Sequence, residues 1–303
     1  MRSRSSSLLH LLSIVLLLLS SEAAITQQAA TGKSNAALHI EVQDLEGTSV
    51  SDTKVTSPAQ SDSVTLLVHR TYQPGDRILF TGPQEMAVRM DQSMPECLIF
   101  APNSSVLIYE IPYGRAEQET GSAYAPDAFS GDSHRVTLRA LTGQERHGYR
   151  NLALNPCDQT KSDLAIFPHA TSSSVARNLF DFEARNAIDG ATRNGHHGVW
   201  PYQSWGPELV PDAWWKVDFG RPVTVDKVRL MLRADFPHDG TWKSAEIEFS
   251  DGSRVSIQLH STVEFQEFSF PARRTAWLRL TNLLPTDPIK WCALTELEAW
   301  GRE

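Results

Sequence analysis

No dense run of lysines or arginines occurs anywhere in the 303 residues, and the formal net charge is −8, with 28 basic against 36 acidic side chains. A nucleic-acid backbone is therefore a poor partner, and so is an anionic membrane surface. The chain has no HExxH, GxSxG, P-loop glycine pattern or CxxC, so none of the chemistries those motifs carry has a foothold here. Cysteine is scarce: only Cys97, Cys157 and Cys292 are present. The odd number leaves at least one thiol unpaired unless it bridges two chains. No repeat of roughly 20–50 residues is evident, which excludes solenoids and propellers. Beyond the N-terminus no apolar run is long enough to cross a bilayer, so membrane insertion is not expected.

The N-terminus itself reads as an address. Arg2 and Arg4 precede an apolar run from Leu8 to Leu19, and Ser20-Ser21-Glu22-Ala23-Ala24 comes next. This is the pattern of a signal peptide, residues 1–23, with an uncleaved anchor as the alternative. The expectation is a secreted or otherwise exported chain. Residues 24–36 are small and polar and read as a flexible lead-in.

The remaining length has room for two domains. Leu38, Ile40 and Val42 alternate with polar residues, the period of a half-buried strand. Further strand-like runs are Val64 to His69, Ile78 to Phe80, Glu85 to Met90, Leu98 to Phe100, Val106 to Ile111 and Arg135 to Leu141. Turn-formers such as Pro74-Gly75-Asp76 and Gly131-Asp132 separate them, a spacing that means an all-β sandwich or barrel. Residues 115–133 show no sustained period and read as a long surface loop. The predicted organisation is an N-terminal β-sandwich over 37–148, a joint over 149–167, and a second domain over 168–303. Within the second, Glu246 to Leu259 reads as a hairpin turning at Asp251-Gly252. Val228, Leu230 and Leu232 form a strand whose opposite parity carries Arg229, Met231 and Arg233, so Arg233 is expected to point away from the core.

Three segments of this second half stand out: Asn186-Ala187-Ile188-Asp189-Gly190, Trp214-Trp215-Lys216-Val217-Asp218-Phe219-Gly220, and Leu294-Thr295-Glu296-Leu297-Glu298-Ala299-Trp300-Gly301. In that order they resemble the galactose-binding-like β-sandwich of discoidin (coagulation factor type C) domains, F-type lectins and carbohydrate-binding modules, over roughly residues 160–303. The fold class implied is all-β, two β-sandwich domains with the C-terminal one a galactose-binding-like jelly roll. The resemblance also implies a structural Ca²⁺ held by Asp189 and Glu296 with backbone oxygens of Asn186 and Thr295. Against it stands Ala191, where F-type lectins usually offer a side-chain oxygen, and the alternative in which Asp189 caps a turn. Because the ends of the resembling folds lie close together, pairing of Cys157 with Cys292 is a further expectation, buried free thiols being the alternative.

Two loops hold the candidate ligand-binding residues. Residues 194–215 carry His196, His197, Trp200, Tyr202, Trp205, Trp214 and Trp215, aromatic faces beside hydrogen-bonding groups, as sugar sites require. Residues 232–242 carry Arg233, Asp235, His238, Asp239 and Trp242. Arg233-x-Asp235 matches part of the fucose motif of F-type lectins, but Gly240 stands where that motif has a second basic residue, and Gly206 where it has its histidine. An arginine can donate paired hydrogen bonds to adjacent hydroxyls, and Asp235 can hold its guanidinium still. Equally, Arg233 can form an ion pair that fastens the loop, and the loop tryptophans can simply cover the sheet. His196-His197, His238-Asp239 and His169 are also potential metal ligands or general bases, but adjacent histidines on a loop need a third ligand.

These residues together imply a non-catalytic carbohydrate-binding protein whose glycan or polysaccharide ligand sits among loops at one end of the C-terminal sandwich. The alternative is a protein- or cell-surface-interaction module.

Overall fold

The computed structural model describes residues 37–102, 106–112, 123–160 and 166–303. The expected leader (1–23) and lead-in (24–36) lie outside them. The described residues form one compact unit whose regular structure is almost wholly antiparallel strand.

Its first part is a sandwich of two four-stranded sheets. One has the order β2 (Ser49–Thr56), β1 (His39–Gln43), β4 (Arg77–Thr81), β7 (Val106–Glu110). The other has the order β3 (Ser63–Val68), β8 (His134–Ala140), β5 (Glu85–Arg89), β6 (Cys97–Phe100). Alternation does what it should. Ile40, Val42, Ile78, Phe80, Val64, Leu66 and Val68 all turn inward into one core while their neighbours face out. The edge strand β2 has no such signature. Its sequence SVSDTKVT buries only Thr53, so no period of two marks it as a strand.

Two expectations are corrected here. Cys157 pairs with Cys97, not with Cys292: the Cα atoms of Cys97 and Cys157 are 6.1 Å apart, within disulfide reach, and Cys292 is a buried free thiol. Burial pushes the Cys292 thiol up to about 12, so it stays protonated. Nor is the segment 115–133 only a surface loop. In its described part, Phe129 is buried against Tyr72, Tyr109 and Tyr124 in the first core.

The second part is one seven-stranded assembly. The order is β13 (Arg254–Gln258), β12 (Trp242–Phe249), β14 (Gln266–Pro285), β11 (Trp215–Leu232), β15 (Leu294–Arg302), β9 (Arg150–Asn151), with β10 (His169–Ser172) also on β11. The two longest strands bend where their register shifts, between Asp218 and Val223 and again between Val225 and Lys227. These breaks let them wrap a single core as a jelly roll. At the first bend Gly220 takes φ +70°, and a Cβ there would strike the Phe167 ring at 2.3 Å. The expected hairpin is present, with Ile247 opposite Val255 and Ala245 opposite Ile257. Gly252 at φ +80° makes its turn, and the Asp251 carboxylate accepts from Ser253 N–H.

Residues 149–167 serve both cores. Leu152 and Ala153 pack into the second, Cys157 and Ile166 into the first. Among the described residues no helix is long and apolar enough to cross a membrane.

Candidate functional site

At one end of the second sandwich, loops 194–206, 233–241 and 286–293 surround a cleft of about 370 Å³ whose walls include Phe182, His197, Arg233, His238, Asp239 and Trp291. Such a volume suits a small ligand.

Arg233 lines this cleft. It comes directly after β11 with the parity expected from sequence, yet it is only 5 % exposed, so the expectation of a free outward side chain is corrected. The physical reason is that the 194–198 loop folds over it. Its Nη2 donates to the His196 carbonyl at 3.0 Å and to Nδ1 of His197. Phe182 lies 6.0 Å beneath its guanidinium. Asp235 does hold the region together, but through Gly195 N–H at 2.8 Å; its other oxygen, Oδ1, is 3.9 Å from Arg233 Nε. That separation is too long for a hydrogen bond, and both atoms are buried without a partner. Burial, with a smaller part from the Asp235 charge, raises the Asp239 carboxyl.

His197 stacks on Phe236 at 4.5 Å, and its Nε2 meets His238 Nε2 at 3.0 Å. Burial and then the Arg233 charge lower its affinity for a proton. His196 does not join it: that ring turns to Tyr202 at 5.5 Å. His169 is remote from the loops, bound to Asp158 at 2.7 Å. Although burial opposes it, the Asp158 contact raises its pKa, and Asp158 also accepts from Ala170 N–H, so this pair braces β10.

The tryptophans separate. Trp205 and Trp242 are not ligand platforms: both are core, stacked at 5.8 Å, with the Trp205 indole donating to the Ser174 carbonyl. Trp215 is also core, donating to the Ala184 carbonyl. Trp200 is exposed but lines a second cleft with Met94, Tyr124, Arg185 and Asp189, so it does not meet Arg233. The tryptophan that does line the Arg233 cleft is Trp291, 40 % exposed, with the Arg177 guanidinium 5.8 Å from its ring. Sequence reasoning passes it over because it comes after the polar stretch Thr286-Asp287-Pro288-Ile289-Lys290 rather than sitting among other aromatics. The available signal is a tryptophan just before the last strand.

Of the residues expected to hold calcium, Asp189 and Glu296 come together beside Gly190. Asp189 does cap a turn, its Oδ1 accepting from Ala191 N–H at 2.8 Å, while Oδ2 accepts from Gln203 Nε2 at 2.7 Å. Glu296 is 1 % exposed and accepts from Gly190 N–H at 3.2 Å. Burial pushes Asp189 up to about 6, and burial with the Asp189 charge raises Glu296 well above the carboxylate range. Asn186 Oδ1 and Gln203 Oε1 are also buried without a partner. The Asp189 and Glu296 carboxyls are hard oxygen donors of the kind Ca²⁺ takes. The Thr295 hydroxyl pairs with Asn194 Oδ1 at 3.2 Å.

Residues 169–297 match the family model described as the F5/8 type C domain. Among solved structures, chitosan-binding module 1 of a chitosanase/glucanase from Paenibacillus sp. IK-5 is similar at 24 % identity and a TM-score of 0.35, over 50 % of this chain and 99 % of that one. A Streptococcus pneumoniae fucose binding module is similar at 16 % identity and a TM-score of 0.35, over 50 % and 98 %. The family 32 carbohydrate-binding module of Clostridium perfringens NanJ, solved with galactose, is similar at 15 % identity and a TM-score of 0.34, over 43 % and 91 %. A search of the curated proteins finds no match.

Proposed function

We propose that this is an exported, non-catalytic carbohydrate-binding protein whose ligand occupies the Arg233–Trp291 cleft. The observation that carries the reading is the cleft itself. Its lining combines the partly exposed Trp291 and the ring of Phe182 with the polar groups of His197, His238 and Asp239 and the buried Arg233. A sugar presents C–H faces to such rings and hydroxyls to such polar groups. The match of this domain to the F5/8 type C family supports the same reading.

Calcium at Asp189 and Glu296 belongs to the same proposal, as a structural ion that neutralises the two buried charges.

A glycan array on the purified chain tests the reading. Saturable binding to a defined sugar set is expected; retention on a protein partner with no sugar bound would favour the interaction-module alternative. Trp291→Ala should weaken sugar affinity about tenfold, the scale of ~1.4 kcal/mol for one aromatic contact. Its melting temperature should stay unchanged, because the ring is well exposed. Unchanged affinity would move the site elsewhere.

A further inference from the structure

We propose that His197, His238 and Asp239 form a three-ligand site for a zinc-class divalent cation at the rim of the cleft. The fourth coordination position is left to water or to a ligand hydroxyl. Sequence alone offers two adjacent histidines without a third ligand. The fold resolves that by sending His196 to Tyr202 and bringing His197 across to the 238–239 corner. One ligand atom from each of His197, His238 and Asp239 lies within 4.8 Å of the others. The two Nε2 atoms are 3.0 Å apart, and His238 Nε2 is 3.6 Å from Asp239 Oδ1. Two nitrogens each about 2.0–2.1 Å from one tetrahedral zinc lie about 3.3 Å apart, so a small opening admits the ion. Two imidazoles and one carboxylate, with an open position, suit zinc and its neighbours rather than calcium, which takes oxygen ligands.

The tautomer of His197 fixes what must change. An arginine can only donate, so Nδ1 of His197 is now the acceptor and its proton sits on Nε2, directed at His238. A metal on Nε2 displaces that proton to Nδ1, where it opposes the Arg233 N–H. The guanidinium has somewhere to go. Its Nε and Asp235 Oδ1, both buried and unpartnered, are 3.9 Å apart, and a shift of about 1 Å would join them in a charge-assisted hydrogen bond. The orphaned pair and the histidine pair are thus two halves of one arrangement, completed when the ion binds. Asp239 is braced for its part by Phe236 N–H, which donates to its other oxygen at 3.2 Å.

The test is calorimetric titration of ZnCl₂ into the chain, freed of any histidine tag and equilibrated in calcium. One equivalent should bind, and Co²⁺ should give the visible absorption of a four-coordinate site. His238→Ala should lose at least about tenfold in zinc affinity. Because its ring is 66 % exposed, the variant should melt like the parent in chelator, which separates ligand loss from misfolding. Asp239→Asn should weaken zinc without abolishing it. Absence of stoichiometric uptake by the parent, or uptake undiminished in both His238→Ala and His197→Ala, would overturn the site. No sugar enters the measurement, so it stands or falls apart from the carbohydrate reading.

Discussion

Arg185→Ala should lower the melting temperature by about 10 °C, a loss of ~3–5 kcal/mol for breaking a buried ion pair, at ~2–4 °C per kcal/mol for a domain of this size. Arg185 is 3 % exposed and faces three groups at once. Its Nε donates to Glu183 at 3.2 Å, its Nη2 to the Ala123 carbonyl at 3.2 Å, and its plane lies 4.3 Å from the Tyr124 ring. Ala123 and Tyr124 come from the loop that seats Phe129 in the first core, so one side chain of the second sandwich is keyed into the first. Truncation strands the Glu183 carboxylate and the Ala123 carbonyl away from water. Differential scanning calorimetry on Arg185→Ala and on the double variant Arg185→Met/Glu183→Gln checks the cause. The double variant should recover much of the loss, because it removes both charges and keeps the volume. If Arg185→Ala melts within about 2 °C of the parent, the contact is incidental and the junction rests on the disulfide and the ion pairs around Glu85 and Arg221.

The same residue marks where sequence reading stops. Strands such as Ile40-x-Val42 and Val228-x-Leu230-x-Leu232 are legible because each is buried on one face, and burial writes a period of two into the chain. The edge strand β2 writes none. Parity puts Arg233 on the face opposite Leu232; what parity cannot carry is a loop from far upstream closing over it, as Gly195 to His197 do. The tryptophans are ambiguous for a related reason. Trp205 and Trp200 look alike in sequence, but one stacks on Trp242 in the core and the other lines a cleft shared with the first sandwich. Cys97 is out of reach as a partner for Cys157, since the family resemblance begins after it and speaks only for the second half.

Stripped of divalent cations, the chain should be less stable at pH 7.5 than at pH 5, and calcium should remove the difference. The direction of the shifts sets the sign. Asp189 is pushed up to about 6 from an ordinary 3.8, and Glu296 is raised further, first by burial and then by the Asp189 charge. A carboxyl raised by folding keeps its proton in the native state at a pH where the unfolded chain has released it. Stability is therefore fully present below about pH 4 and falls as pH climbs through 6. For Asp189 alone, about two pKa units correspond to ~3 kcal/mol. Calcium binds the ionised pair, so its stabilisation grows with pH, by ~2.7 kcal/mol at a hundredfold excess over its dissociation constant. Asp189→Asn separates this from a plain turn cap. Its amide oxygen still accepts from Ala191 N–H, and Gln203 can turn its own oxygen toward the new amide. In chelator at pH 7.5 the variant should melt above the parent, because one of two repelling buried charges is gone, and it should no longer respond to calcium. A parent whose melting is flat from pH 5 to 7.5 and unmoved by calcium would leave Asp189 as the cap of its turn and nothing more.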